Sequence, residues 1–471
     1  MADQDAARDG LPSSGSPLRD PAPEALASAA PIDAPGVEQA ARTPADVGSR
    51  RGAFTGGLWS AASSVAPMGG TLALSVVISR ELGADVLGEQ SLVAYVASSM
   101  VSILIYSFTT ASVQLLASAE GAADDARLAW LSRWSYGAHL IGGVVSAGVL
   151  VGAGLARPGY TTLWLFAAAT ALADAVGWAH ASRDISRHGW SRTSSRRLVG
   201  QAIAPFAGIA AIYAGWGVQG VFAAQLIVSL ILLLVLRRLD KQGERPSSRD
   251  HAAPRWRPVL NLWALFALSG VIFQVVDRRM ELIFLDQFQD ARTVAMYSVA
   301  FSLVAIPTTL SGSIIHAAMP AIASRFVQEP ALVMTAFSRA ARVVVTIDLV
   351  LAAGTVAVGP KVILAAYGSE FTEAATLVAW LGPTLLIIPL GQLYGTLWSG
   401  VGRLRPVLLA GGAAAVIDIA LAWSLIPFLS VTGAVIATVS AQGTSALMLI
   451  AYTRRQGMRL ELRPVDRKSV V

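Results

Sequence analysis

The sequence predicts an all-α polytopic membrane protein with about 12 transmembrane helices arranged as two six-helix bundles. Hydrophobic residues occupy 54% of the 471 positions and charged residues only 14%, a composition too apolar for a water-soluble domain. The charges fall in short clusters between apolar runs of about 20 residues or more, the length that crosses a bilayer as a helix. The two halves of the chain also contain similar short motifs in the same order, which indicates two similar bundles.

The first 52 residues differ from the rest of the chain. Residues 1–52 contain seven prolines and show no apolar periodicity. Because such a segment cannot bury enough apolar surface to offset its conformational entropy, we expect it to be a disordered cytoplasmic tail.

Twelve apolar runs follow this tail. Six lie in residues 53–236, which we expect to form the N-terminal bundle, and six lie in residues 259–453, the C-terminal bundle. The hydrophilic stretch 237–258 links the bundles on the cytoplasmic side, and residues 454–471 form a second cytoplasmic tail. The runs cover approximately residues 53–79, 90–117, 134–156, 160–180, 197–216, 218–236, 259–286, 292–320, 342–366, 374–399, 404–428 and 431–453.

Lysine and arginine are distributed unevenly between alternate loops. One set of loops holds little beyond Arg80, Arg157 and Arg292. Loops that stay in the cytoplasm carry the excess of positive charge, so the asymmetry predicts cytoplasmic N and C termini and an even number of spans. The positive set comprises Arg50 and Arg51, Arg127 and Arg133, Arg183 to Arg197, Arg237 to Arg257, Arg325 to Arg342, Arg403 and Arg405, and Arg454 to Lys468.

Short matches between the halves indicate a tandem repeat. Val218-Gln219-Gly220 precedes the sixth run, and Val431-Thr432-Gly433 precedes the twelfth, 213 positions later. Gly189 and Arg192 match Gly402 and Arg405 at the same offset. Because six spans per repeat give both copies the same orientation, the repeat predicts a cleft between two like-oriented bundles.

Several motifs of the second half resemble those of a known transporter family. The chain is similar, over roughly residues 53–455, to the Wzx-like group of polysaccharide flippases in the multidrug/oligosaccharidyl-lipid/polysaccharide exporter superfamily. The resemblance implies a twelve-helix transporter in a bacterial plasma (inner) membrane that moves lipid-linked oligosaccharide between leaflets by alternating access. The motifs are Asp277-Arg278, Ala295-Met296-Tyr297-Ser298-Val299-Ala300 (with Ala295 where glycine is usual), the segment Tyr367 to Ala375, Ile426-Pro427, and Gly433 to Thr438.

The seventh run contains the densest set of polar side chains. Gln274, Asp277, Arg278 and Glu281 are spaced i, i+3, i+4 and i+7, so a continuous helix would place them on one stripe facing a cleft. Unpaired charge within a membrane is costly, which makes these residues substrate-binding candidates. An arginine here could hold a pyrophosphate bidentately, with carboxylates that balance it or take a coupling ion. Alternatively, the charges pair with one another near the outer headgroups.

Other polar residues within the spans are also candidates. Asp174, Asp348 and Asp418 are single acids that could each take a coupling proton or sodium ion, or could be capped by a neighbouring hydroxyl or arginine. Arg80 could contact a substrate phosphate or extend to the membrane interface. His316 is a cavity candidate because the resemblance implies that the eighth span lines the cleft.

The sequence gives no indication of catalysis, a cofactor or a metal site. It contains no cysteine, no phosphate-binding Gly-Lys-Ser/Thr loop, no nucleophile elbow and no histidine spacing typical of a metal centre. The formal net charge of +6 does not indicate a nucleic-acid partner, because the basic residues fall at helix ends. We therefore expect a protein that is not an enzyme.

The expected function is that of a flippase for a prenyl-pyrophosphate-linked oligosaccharide used in cell-surface polysaccharide synthesis. Membrane lipids surround such a protein, and a polysaccharide polymerase or glycosyltransferases would be its partners. One alternative is a cation-coupled drug or metabolite antiporter of the same superfamily. Another is a membrane-embedded glycan-processing enzyme, although the short outer loops with few charges do not favour it.

Overall fold

A computed structural model describes residues 67–122, 124–187, 190–242, 256–276, 279–317 and 330–456. Across these ranges the ordered elements are helices and no strand occurs. The helices are α1 (67–82), α2 (Ala84–Gly121, with a π-helical turn at Val101–Tyr106), α3 (Asp125–Leu155), α4 (Thr161–Ser186), α5 (Trp190–Ala211), α6 (Gly217–Gln242), α7 (Trp256–Val276), α8 (Glu281–Phe288), α9 (Ala291–Ala317), α10 (Pro330–Tyr367), α11 (Thr372–Leu381), α12 (Thr384–Gly400) and α13 (Arg405–Arg455). The all-α prediction is confirmed.

Many of these helices are long and apolar enough to cross a membrane. Within the described ranges eight meet this criterion, or nine if the pair Ser369–Leu381 and Thr384–Gly400, bent by 48°, forms one span. The chain is thus a multi-pass membrane protein, whereas the count of twelve stays a prediction. The predicted disordered tail (1–52) lies outside the described residues.

Two of the eight helices are long enough to cross the membrane twice. Arg192–Asp240 has 49 residues and Arg405–Arg455 has 51, or about 75 Å each at 1.5 Å per residue, against a hydrocarbon core about 30 Å thick. Each helix is interrupted by residues with a positive φ angle, which an α-helix does not accommodate. The breaks lie at Gly215 and Gly217 in the first helix and at Ser430 in the second.

The two breaks have the same geometry at equivalent positions of the repeat. Gly217 has φ 57° and ψ −154°, and Ser430 has φ 51° and ψ −131°. These positions are 213 residues apart, which is the offset of the sequence motifs. Gly220 and Gly433 each follow three residues later, and a Cβ at Gly220 would lie 2.8 Å from the Cβ of Ala211. Small residues are therefore needed just after each break.

Packing is extensive within each half, and α2 is the main bridge between the halves. In the N-terminal half α3 packs on α4, and α6 packs on both α4 and α5. In the C-terminal half α12 packs on α13, and α9 contacts α10, α11 and α12. Across the halves α2 packs against α9 and α7. The largest buried apolar cluster accordingly contains residues from both halves.

A local hydrogen bond fixes the start of α9. The backbone N–H of Thr293 donates to Asp290 Oδ1 at 2.8 Å, which satisfies one of the free amide groups of the first turn. Hydrogen bonds from the Thr293 side chain and backbone hold the pKa of Asp290 below its usual value. The polar cap therefore marks where the chain enters the apolar span.

Candidate functional site

A cavity of about 800 Å³ lies among α2, α4, α5, α6 and α7. This volume is within the usual range for sites that bind small molecules. Its wall includes the ionisable residues Asp174 and Arg197 and the aromatic residues Tyr106 and Trp178. Hydroxyl and amide side chains form much of the remaining polar lining, contributed by Ser98, Ser102, Thr110, Thr170, Gln201, Gln225 and Ser269. The rest of the wall is mostly apolar and includes Phe222, Phe266 and Phe273, so the cavity can hold a ligand that has both polar and apolar parts.

Helical spacing directs three residues of α4 into this cavity. Thr170, Asp174 and Trp178 are four positions apart and share one helix face, and all three line the cavity. Asp174 lies midway along α4 and is attracted by the positive charge of Arg197. The coupling-ion candidate Asp174 is thus placed in a cavity, beside a cation from α5.

Arg197 is held against an aromatic platform. Its guanidinium carbon lies 3.5 Å from the centre of the Trp178 ring, and Tyr106 contacts the same ring edge-on with centroids 5.4 Å apart. A cation over an aromatic face is stabilised by about 2 kcal/mol when it is shielded from water. Because stacking uses the face of the guanidinium, its N–H groups remain directed outward in the plane, where they suit bidentate binding of phosphate or carboxylate.

A second polar centre lies in the C-terminal half, apart from the cavity. Glu281 on α8 and Asp418 on α13 are 2% and 1% exposed, and α8 packs against α13. The Thr438 hydroxyl donates to Glu281, and the Tyr297 hydroxyl lies 2.7 Å from Thr438 Oγ1. Because burial of carboxylates disfavours their charged form, this acid pair is suited to hold a proton or a small cation.

A break in the seventh span separates two of the predicted site residues. α7 ends at Val276, Arg279 has φ 66°, and α8 begins at Glu281. The freed carbonyls of α7 are capped from other helices, because Gln442 Nε2 donates to Val276 O at 2.6 Å and the Tyr95 hydroxyl donates to Gln274 O at 3.3 Å. The expected continuous stripe from residue 274 to residue 281 is therefore wrong.

The predicted substrate-binding residues of this span are found in different places. Gln274 is buried and donates to Ser99 Oγ at 2.7 Å, which ties α7 to α2. Glu281 belongs to the acid pair, and neither residue lines the described cavity. Asp277 and Arg278 lie outside the described residues. The role of these four residues in substrate binding stays a prediction.

Three further candidates are located by the structure. Arg80 donates to the carbonyl oxygens of Ala366 and Ala365 at 2.5 and 2.6 Å, at the end of α10. Asp348 is buried on α10 and accepts a hydrogen bond from Ser311 on α9. His316 is in the last turn of α9, but its side chain lies outside the described residues.

A polar seam joins the N-terminal half to the C-terminal half. On the N-terminal side it involves α1, the start of α2 and the α3–α4 loop. The Ser75 hydroxyl contacts the Tyr367 hydroxyl, and Arg80 binds the end of α10 as described. Arg157 forms an ion pair with Asp286 on α8 and lies 3.4 Å from Glu89. These contacts, which we call the seam, lie on the side predicted to face outward.

Close backbone packing completes the seam. A Cβ at Gly88 on α2 would overlap the carbonyl oxygen of Ala291 at the start of α9. The absence of a side chain therefore allows the two halves to meet.

Arg197 is a site residue that the sequence did not reveal. It follows Arg183, Arg187, Arg192 and Arg196 in the chain, and the charge pattern places this whole cluster in a cytoplasmic loop. The spacing of polar residues could have indicated it. Arg197 and Gln201 are four positions apart at the start of an apolar run, so they lie on the same helix face, and in the structure both line the cavity.

Comparison with known proteins agrees with this architecture. A family model described as polysaccharide biosynthesis protein matches residues 96–376, which is more than half of the chain and includes Asp174, Arg197 and Glu281. The chain belongs to this family. The resemblance to polysaccharide exporters is thereby confirmed at the level of the family. No curated protein matches the chain.

Solved transporter structures share the fold. An inward-facing multidrug resistance MATE family transporter of the MOP superfamily is 16% identical with a TM-score of 0.67, and the alignment covers 82% of this chain and 93% of that one. The lipid II flippase MurJ in an inward closed conformation is 11% identical with a TM-score of 0.68, covering 85% and 87%. An outward-facing MATE transporter is 15% identical with a TM-score of 0.54, covering 84% and 97%.

Proposed function

We propose that this protein moves a lipid-linked oligosaccharide, a glycan carried on a prenyl pyrophosphate, across the bacterial plasma membrane for cell-surface polysaccharide synthesis. The observation that carries the proposal is the cavity of about 800 Å³, whose wall combines Arg197 with many hydroxyl and amide groups. Membership of the polysaccharide biosynthesis protein family supports a glycan substrate. A similar fold in the lipid II flippase supports transport of a lipid-linked one.

The chemistry of the cavity suits the polar part of such a substrate. Sugar hydroxyls both donate and accept hydrogen bonds, as do serine, threonine and glutamine side chains. The guanidinium of Arg197 provides the positive charge that a pyrophosphate needs away from water. The cavity would thus replace the hydration shell of the head group while the prenyl chain remains in lipid.

Alternating access requires the two halves to separate on one side at a time. The seam holds the predicted outer ends together, so release to the outside needs these contacts to part. The ion pairs of the seam contribute only about 1 kcal/mol each because they are partly exposed, so the packing of α2 on α9 is the larger barrier to opening. We propose that substrate binding and the coupling ion provide the free energy that opens the seam.

The acid pair is the proposed site of the coupling ion. Both acids are buried, and the hydroxyl of Thr438, which donates to Glu281, adds an oxygen atom that could coordinate a sodium ion. Because the pair is separate from the cavity, ion and substrate would occupy different sites and be coupled through helix movement.

The second candidate function is a cation-coupled drug or metabolite antiporter. Asp174, Tyr106 and Trp178 would suit a lipophilic cation, and several MATE transporters share the fold. Arg197 lines the same cavity as Asp174, so the described lining has no net negative charge to attract a cation, and membership of the polysaccharide biosynthesis protein family favours a glycan. The flippase is therefore the better-supported function.

Transport assays in reconstituted liposomes distinguish the flippase from the antiporter. Liposomes containing the purified protein and a fluorescent lipid-linked oligosaccharide are treated with a membrane-impermeant quencher, and parallel liposomes are loaded with a lipophilic cation. We expect protein-dependent transfer of the oligosaccharide lipid and no counter-transport of the cation. Cation exchange without lipid transfer would replace the flippase proposal with the antiporter.

A further inference from the structure

The cavity follows one side of α2 along most of that helix. Ala94, Ser98, Ser102, Tyr106 and Thr110 all line it, and each is four residues after the last. In a regular α-helix residues four apart differ in direction by about 40°, because 3.6 residues make one turn. Over these four steps the direction would drift by about 160°, nearly to the opposite face. A regular helix would therefore turn Thr110 away from the cavity that Ala94 lines.

The π-helical turn at Val101–Tyr106 corrects this drift. Its hydrogen bonds join residues five apart, so it takes up one residue more than an α-helical turn, which corresponds to about 100° of rotation. The inner end of α2 is thus turned back toward the cavity. Val101, Ser102 and Tyr106 line the cavity themselves. The turn is therefore part of the wall of the proposed substrate site.

The turn also separates two parts of α2 that have different partners. The part before it, Ala84–Met100, packs mainly on α9 of the C-terminal half, with Gly88 at the closest approach. The part after it, Ser107–Gly121, packs on α3 and α4 of the N-terminal half and on α7. In this inner part Thr109 Oγ1 lies 2.9 Å from His139 Nε2 on α3, in a buried contact. The inner part is therefore fixed in the N-terminal half, whereas the outer part belongs to the seam.

The hydrogen bonds that join the turn to α7 are long. The Ser107 hydroxyl lies 3.4 Å from Ser102 O within α2 and 3.3 Å from Phe266 O on α7. One hydroxyl hydrogen serves both carbonyl oxygens, and both distances exceed those of a strong hydroxyl hydrogen bond. Gly270 allows the approach of α7, since a Cβ there would lie 3.2 Å from Ser107 Oγ. These contacts restrain the turn only weakly, and π-helical turns are points at which helices bend.

We infer that α2 bends at its π-helical turn when the seam opens, so that Ala84–Met100 leaves α9 while Ser107–Gly121 stays in the N-terminal half. The turn is the hinge between the seam and the cavity, and a head group in contact with Ser102 and Tyr106 acts on it directly. This inference deepens the proposed alternating access. It rests on the proposed function only for the substrate that touches the turn.

Spin labels on introduced cysteines measure the bend in the full-length protein, which has no cysteine of its own. Four exposed positions carry the labels in pairs: Asp85 on the outer part of α2, Ala117 on the inner part, Ile231 on α6 and Glu373 on α11. At 1.5 Å per residue Asp85 is about 28 Å from the middle of the turn, so a bend of about 10° would move it by about 5 Å.

The distances are compared between the otherwise wild-type protein and Gly88→Ala, which should weaken closure of the seam. We expect the distance from Asp85 to Glu373 to lengthen and the distance from Asp85 to Ile231 to change by about 5 Å or more, whereas Ala117 to Ile231 stays the same. If both parts of α2 move equally relative to Ile231, or neither does, α2 is a rigid helix and the inference is overturned. An unchanged distance from Asp85 to Glu373 would overturn it as well, because the outer part would not have left the C-terminal half.

Deletion of Ile103 tests the role of the turn in transport. It should convert the turn to α-helix and leave both flanking parts facing as they do now, because the turn holds one residue more than its α-helical equivalent. Ile103 does not line the cavity. We expect the variant to bind a short-chain polyprenyl-pyrophosphoryl N-acetylglucosamine within about threefold of the wild-type affinity but to transfer it in liposomes at least about tenfold more slowly. Ile103→Ala, which keeps the turn, should match the wild type in both.

The outcomes separate this inference from the proposed function. Transfer at the wild-type rate by the deletion variant would overturn the hinge. Failure of the wild type to bind or transfer the probe would overturn the proposed substrate class but not the hinge, which the spin-label distances test without any substrate. Those distances are measured in a chain with an intact turn, so they decide the inference whether or not the deletion variant folds.

Discussion

The hydroxyl oxygen of Tyr367 on α10 lies 2.6 Å from that of Ser75 on α1, so a hydrogen bond joins the two halves of the protein at the seam. The wild-type chain contains no cysteine. A Ser75→Cys/Tyr367→Cys variant would therefore carry only the two introduced thiols, which makes this contact a direct way to lock the seam.

We expect a short reversible bifunctional thiol reagent to join these two introduced thiols and to stop oligosaccharide transfer in liposomes. The physical reason is that release on the outer side requires the seam to open. Reductant should restore activity, and each single-cysteine variant treated with the same reagent should remain active. Full activity after complete cross-linking would show that the seam does not open during transport.

Gly88 should tolerate no side chain while the seam is closed. A Cβ there would overlap the carbonyl oxygen of Ala291, and overpacking of this kind costs about 1–3 kcal/mol. When Gly88→Ala is added to the Ser75→Cys/Tyr367→Cys variant, we expect the rate of cross-linking to fall by about tenfold or more, because 1.4 kcal/mol changes an equilibrium tenfold.

Gly152→Ala on α3 provides the control, because a Cβ at Gly152 meets no atom within 4 Å. Its cross-linking rate should equal that of the parent variant. Equal rates in Gly88→Ala and Gly152→Ala would mean that α2 and α9 do not need this close approach.

The Arg157–Asp286 ion pair should contribute modestly to closure of the seam. The two side chains are 31% and 14% exposed, so solvent screening limits the contribution to about 1 kcal/mol. We expect Arg157→Glu to slow seam cross-linking several-fold and the double variant Arg157→Glu/Asp286→Arg to recover part of the loss. A double-mutant cycle measures this coupling, and a coupling energy of zero would remove the pair from the closing contacts.

Asp418 and Asp348 should respond differently to neutralisation. Asp418 is buried on α13, which packs against the helix that carries the buried acid Glu281, whereas Asp348 accepts a hydrogen bond from the hydroxyl of Ser311. We expect Asp418→Asn to reduce the stimulation of transport by an imposed proton or sodium gradient at least about tenfold. The reason is that an asparagine at this position can neither be protonated nor provide negative charge to a cation. Asp348→Asn should retain the stimulation, and the reverse result would move the coupling site to α10.

The sequence predicted those features that depend on composition, spacing and repetition. The apolar runs predicted an all-α membrane protein, and the motifs Val218-Gln219-Gly220 and Val431-Thr432-Gly433, which indicated a repeat, directly follow the equivalent backbone breaks at Gly217 and Ser430. Asp174 was recognised as a candidate because an acid within an apolar run is unusual. These inferences need only local information.

The features that the sequence did not predict depend on contacts between distant segments. Arg197 belongs to an arginine-rich cluster, and its role becomes visible only when α4 brings Trp178 and Asp174 against it. The seventh run resembles a continuous helix because its break is stabilised by Gln442 and Tyr95, which lie far away in the sequence. Glu281 was a candidate, but its pairing with Asp418 required the packing of α8 on α13.

The most direct test of the central claim is the rate of lipid-linked oligosaccharide transfer in liposomes by the wild type, Arg197→Gln and Arg196→Gln. Arg196 is exposed beside Arg197 and does not line the cavity, so it controls for loss of one positive charge. We expect Arg197→Gln to transfer the substrate at least about a hundredfold more slowly, whereas Arg196→Gln should match the wild type. Equal rates for all three proteins would contradict the assignment of this cavity to the transported head group.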